Sequence, residues 1–201
     1  GKRSEEGVVC EWWGEEGDIH AVPRRRSNDL GQSWGAEQTV FNWDKAHIVE
    51  AAIVSKGNKV AIVAGYPKVG LLGFYAEDNK ASSQLSWTEL GGVAGTQNVN
   101  EISWIKPLMS DETLKVGFIL QEEQKKKYQI NIASMAFKEA KWDAKRFRMD
   151  RDKKQPVQTK ASYFDFKVLP NGEFVIAWQD YRSIIPMLML DYTKNKGKIR
   201  K

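Results

Sequence analysis

The chain is poor in the side chains that usually carry metal or thiol chemistry: 201 residues hold one cysteine, Cys10, and two histidines, His20 and His47. A lone cysteine excludes an internal disulfide, and three such ligands in all fall short of an ordinary zinc site. Cys10 lies in an apolar, strand-like run, where it reads as a small buried hydrophobe. Helical periodicity is also missing, since no segment of useful length repeats its apolar residues every 3.6 positions. No run approaches the ~20 apolar residues of a membrane-spanning helix. The opening residues, Gly1-Lys2-Arg3-Ser4-Glu5-Glu6, lack the apolar stretch of a signal peptide. There is no glycine-rich phosphate loop and no Gly-x-Ser-x-Gly elbow. These absences set aside zinc, nucleotide and serine-hydrolase chemistry and leave open a calcium site of carboxylates and carbonyls, and no cofactor is expected.

What is present suits a globular chain, with 41% hydrophobic and 28% charged residues, enough apolar material for a core. The net charge of +5 comes partly from Arg24-Arg25-Arg26, Lys125-Lys126-Lys127 and the lysine-rich tail after Asp191. Twenty-six acidic residues are interspersed among thirty-one basic ones. The clusters therefore read as solvated loops, and no nucleic-acid partner is expected.

A repeat organises the chain. Apolar runs begin at Val8, Val60, Val116 and Phe174, a spacing of 52 to 58 residues. A second strand-like run follows each of them, near Ile19, Leu71, Ile130 and Ile185. Tryptophans at 34, 87 and 142 keep the same period in a third register. Turn chemistry punctuates the runs, with Lys56-Gly57-Asn58 and Pro170-Asn171-Gly172 each preceding an anchored strand. Short strands at this spacing predict an all-β chain of antiparallel sheets. In the second repeat the strands fall at about 48–55, 59–66 and 70–77, with a fourth after Trp87. In the last they fall at about 161–169, 173–180 and 184–191.

The loop Ser27-Asn28-Asp29-Leu30-Gly31-Gln32-Ser33-Trp34 spells Ser-x-Asp-x-Gly-x-Ser-Trp between two strand-like runs. It resembles an Asp-box, the hairpin loop repeated around the β-propellers of the sialidase superfamily. Its logic is mechanical: the aspartate accepts hydrogen bonds from its own turn, glycine takes a conformation other residues resist, and tryptophan packs beneath. Ser27, Asp29, Gly31, Ser33 and Trp34 are thus expected to be structural. The resemblance implies a sialidase-type propeller of about four repeats, incomplete at both ends, with blades near 8–41, 47–93, 101–148 and 160–192. Such an arc would be completed by further blades, by a second copy or a partner chain, or by the tail 191–201 and the head 1–7 closing a small ring of four blades.

In the family resembled, the substrate lies on the face opposite the Asp-boxes, among the loops between the second and third strands and the starts of the first strands. That face collects Glu50, Glu101, Asp180 and Tyr181 as the catalytic candidates the resemblance implies. Arg182, His47, Tyr66 and Lys68 are the corresponding substrate-binding candidates. The family pairs a glutamate with a tyrosine nucleophile and holds its substrate carboxylate with three arginines. Only Arg182 is placed to join such a triad, and the family's arginine-isoleucine-proline signature is absent. Three readings follow: a glycan- or protein-binding propeller, an exo-acting glycoside hydrolase completed by other blades or a partner, and an assembly propeller that binds protein only. The resemblance implies a secreted, periplasmic or lumenal home.

Overall fold

The computed structural model describes residues 8–9, 21–27, 29, 31–42, 48–77, 85–122, 128–143, 147–148, 163–170, 173–180, 187–194 and 198–199. The elements in it are strands: β1 (Val8–Val9), β2 (Ala21–Arg26), β3 (Gln38–Asn42), β4 (Glu50–Lys56), β5 (Lys59–Tyr66), β6 (Gly70–Glu77), β7 (Thr88–Gly92), β8 (Val99–Met109), β9 (Thr113–Glu122), β10 (Tyr128–Ala136), β11 (Lys141–Trp142), β12 (Phe147–Arg148), β13 (Phe164–Val168), β14 (Phe174–Asp180), β15 (Met187–Lys194) and β16 (Lys198–Ile199). The class is all-β, with no helix among the described residues. None of them forms a helix long and apolar enough to cross a membrane.

Neighbours in sequence pair in space, giving four antiparallel sheets in chain order: β1-β2-β3, β4-β5-β6-β7, β8-β9-β10-β11 with β12 also on β10, and β13-β14-β15-β16. Short connections favour this meander, since antiparallel strands need only a tight turn between them. Gly57 and Asn58 close the β4–β5 hairpin, with Lys56 opposite Lys59. The last sheet gains a strand that the sequence pattern does not announce. Its lysine-rich tail turns back so that Ile199 pairs with Thr193. Edge pairing of this kind rests on backbone hydrogen bonds and leaves no apolar alternation to read.

The second strand of an inner sheet is buried on both sides, which is why its sequence is continuously apolar. Along β5, Ala61 and Val63 face one cluster with β8, β9 and β10. Ile62, Ala64 and Tyr66 face another that includes Val40 and Phe41 of β3. In β9, Val116, Phe118 and Leu120 turn toward the second sheet, while Ile119 joins Phe164, Phe166 and Trp178 of the fourth. Sheets therefore stack face to face, and three apolar seams join first to second, second to third and third to fourth. Each fully buried Leu, Ile or Phe in these seams contributes about 1.5–3 kcal/mol by leaving water.

The periodic tryptophans serve this stacking. Trp87 packs on the seam with the first sheet, and Trp142 packs on the seam with the second, donating its indole N–H to Gly91 O at 3.1 Å. Each therefore reaches back onto the preceding sheet.

Candidate functional site

Strand direction sorts the loops into two ends, and the Ser27–Trp34 loop lies at one of them, between β2 and β3. Ser27 is buried, and its hydroxyl donates to Asp29 Oδ1 at 2.7 Å while accepting the Gly31 N–H at 2.7 Å. Asp29 in turn accepts the Ser33 N–H at 2.8 Å and the Ser33 hydroxyl at 2.5 Å. The Ser33 bonds and the Ser27 hydroxyl stabilise the ionised carboxylate and hold its pKa down at about 2. Gly31 sits at φ +85°, in the left-handed region, with Trp34 passing beneath it. A depression of about 290 Å³ opens at the same end, lined by Glu37, Gln38, Thr39, Leu85 and Trp87.

Of the candidate site residues that are described, Glu50, Tyr66, Lys68, Glu101 and Asp180 lie toward the opposite end of their sheets. Glu50 begins β4, opposite Gly65 near the end of β5, and its carboxylate crosses to the next sheet. It accepts the Trp104 N–H at 2.6 Å and the Ile105 N–H at 2.8 Å. Those two residues form a bulge in β8, where the register skips between Ser103 and Lys106. Burial pushes the Glu50 pKa up, and the two N–H donors with the Lys106 charge pull against it. Trp104 holds φ at +55°, a value that bulky side chains resist.

The bulge also re-aims its side chain. Ile102 and Ile105 face the second sheet, whereas Trp104 packs toward the fourth. There its ring meets Tyr163, just before β13, with centroids 4.5 Å apart and the planes at 65°. Tyr163 is half exposed, at 51%. Strand alternation puts Glu101 and Ser103 on the same side of β8 as the fourth sheet. Both are partly buried, and the Ser103 hydroxyl donates to Glu101 Oε1 at 3.3 Å.

Lys68 stands exposed in the β5–β6 turn at φ +65°. Its backbone ties that turn to the start of β8, through Lys68 N–H to Val99 O at 3.2 Å and Asn98 N–H to Lys68 O at 3.1 Å. Thr96, fully buried, strengthens the joint: its hydroxyl accepts the Leu71 N–H at 2.9 Å and donates to Val93 O at 2.7 Å. Tyr66 is completely buried in the seam between the first two sheets, and burial with the nearby Glu89 charge pushes its pKa up to about 12. Its ring is thus part of the packing and does not line an open pocket. Asp180 ends β14 opposite Met187. Tyr181, Arg182 and His47 lie outside the described residues.

The structure therefore brings Glu50, Glu101 and Lys68 to one end of the sheets and adds Trp104, Ser103 and Tyr163. Trp104 reads from sequence as core packing, because nothing local announces a bulge. Tyr163 gives no signal beyond its place before a strand. Among the described residues no group of three or more His, Cys, Asp or Glu is arranged to hold a metal ion.

The stacked antiparallel sheets are those of a sialidase-like fold. A point mutant of the NanB sialidase from Streptococcus pneumoniae superposes with a TM-score of 0.50 at 14% identity, over 85% of this chain and 26% of the sialidase. The same sialidase in complex with a chlorobenzyl-substituted ammonioethanesulfonate gives 0.48 at 15% identity over the same shares. The chain thus spans about a quarter of the length of these neighbours. No protein-family model matches the sequence, and no curated protein does.

Proposed function

We propose that the chain is an arc of a sialidase-type β-propeller that binds glycan through the end bearing Lys68, Glu101 and Tyr163. The four sheets are read as consecutive blades and the Ser27–Trp34 loop as an Asp-box, a reading supported by the hydrogen bonds converging on Asp29. The observation that carries binding over hydrolysis is the engagement of Glu50. A sialidase-type glutamate must accept from a tyrosine hydroxyl, whereas the partners of Glu50 among the described residues are the backbone N–H groups of Trp104 and Ile105, with no tyrosine hydroxyl among them. Glu50 on this reading is a brace for the inner strands. The arc is completed by further blades, a second copy or a partner, and the Asp-box reading carries with it a location outside the cytoplasm.

The test is a calorimetric titration with 3′-sialyllactose, run beside a fluorogenic sialoside assay on the same sample. Binding without turnover is the expected result. Turnover lost on Glu50→Gln would replace this reading by the hydrolase one, and the absence of saccharide binding would leave an assembly propeller.

A further inference from the structure

The least favourable backbone conformation at the recognition end belongs to Trp104. A tryptophan at φ +55° occupies a region that suits glycine, and holding a bulky residue there costs of order 1–3 kcal/mol. Bulges with a left-handed first residue ordinarily place glycine at it. Here the conformation is held from outside, by the two bonds from Glu50. The result of that arrangement is the position of one ring: Trp104 leaves the side of Ile102 and Ile105 and stands against Tyr163.

We infer that Trp104 and Tyr163 form an aromatic corner that takes a neutral pyranose ring, with Glu101 and Ser103 receiving its hydroxyls. This rests on the glycan-binding reading and specifies its ligand. Two rings at 65° with one half exposed offer an apolar wall to the C–H face of a sugar. Glu101 and Ser103, on the same side of β8, supply the oxygens that sugar hydroxyls need. A carboxylate at that place favours a hydroxyl-bearing ring and repels an anionic one, so the corner selects the neutral sugar of a glycan over its sialic acid.

The test is titration of the full chain with lactose, and separately with 3′-sialyllactose, read by saturation-transfer NMR together with the unfolding midpoint. Tyr163→Ala is expected to weaken lactose binding at least fivefold with the midpoint unchanged, since its ring is half exposed. Trp104→Gly is expected to abolish lactose binding, the loss of its packing against the third–fourth seam being offset in part by relief of the backbone strain at φ +55°. Lactose affinity unchanged in both variants overturns the corner. So does binding of 3′-sialyllactose without binding of lactose, and in that case the glycan-binding reading stands while this inference falls. Failure to bind either saccharide overturns both.

Discussion

The indole of Trp142 occupies the space that a side chain on Gly73 would need: a β-carbon there would lie 2.6 Å from Trp142 Cζ2 and 3.3 Å from Cε2. The two residues belong to adjacent sheets, so this contact sets how closely the second and third sheets stack. Gly73→Ala is expected to destabilise the fold by about 1–3 kcal/mol, the usual range for an overpacked site. Urea unfolding measures it. In a Trp142→Leu background the same substitution should cost far less, and equal costs in both backgrounds would show that the indole is not the obstacle.

Glu50 braces two sheets through a pair of backbone N–H groups. Glu50→Gln keeps one acceptor and turns an amide N–H₂ toward the other donor, so a loss of about 1 kcal/mol is expected, at the low end for a partly exposed group. The pH dependence follows from the raised pKa. The folded protein binds the Glu50 proton more readily than the unfolded chain does. This contribution to stability is complete below the ordinary value of 4.5 and is lost as pH rises through the higher folded value. Unfolding midpoints across that interval should slope for the parent and flatten for Glu50→Gln.

Asp29 has the opposite sign. Its pKa is held down from 3.8 to about 2 by Ser33 and Ser27. The loop's stabilisation by this carboxylate is therefore present above 3.8 and lost as pH falls toward about 2. The Ser33 amide resonance, followed by NMR, should titrate near the lower value. A midpoint at the ordinary carboxylate value would mean that the hydrogen bonds do not form in solution.

Thr96 fastens the link after β7 to the turn that carries Lys68. Thr96→Val preserves the shape but leaves the Leu71 N–H without its acceptor, at a cost of about 1–3 kcal/mol. Thr96→Ser retains the hydroxyl and should lose much less. Because the joint lies at the proposed recognition end, amide exchange at Lys68 and Asn98 should quicken in the valine variant alone.

The sequence by itself determined the all-β class, the strands of the second repeat and the internal bonding of the Ser27–Trp34 loop. All of these depend on neighbours within a few residues: alternation along a strand, turn residues between strands, and an aspartate reaching its own turn. The apolar runs of β5 and β9 were legible as strands, and their burial on both sides emerged only from the stacking of the sheets. The short pairing of β16 was not legible, because an edge strand needs no apolar pattern.

Tertiary structure alone decided what Glu50, Tyr66 and Trp104 touch. Glu50 looks from sequence like a carboxylate entering a pocket, but its partners are the N–H groups of Trp104 and Ile105, 54 and 55 residues away. Tyr66 stands at the end of a strand, and only the stacking of the first sheet on the second buries it. Trp104 reads as an ordinary strand residue until a bulge turns its ring toward Tyr163. Each outcome depends on which sheet faces which and in what register, and those distances are set by packing across seams, which no local pattern encodes.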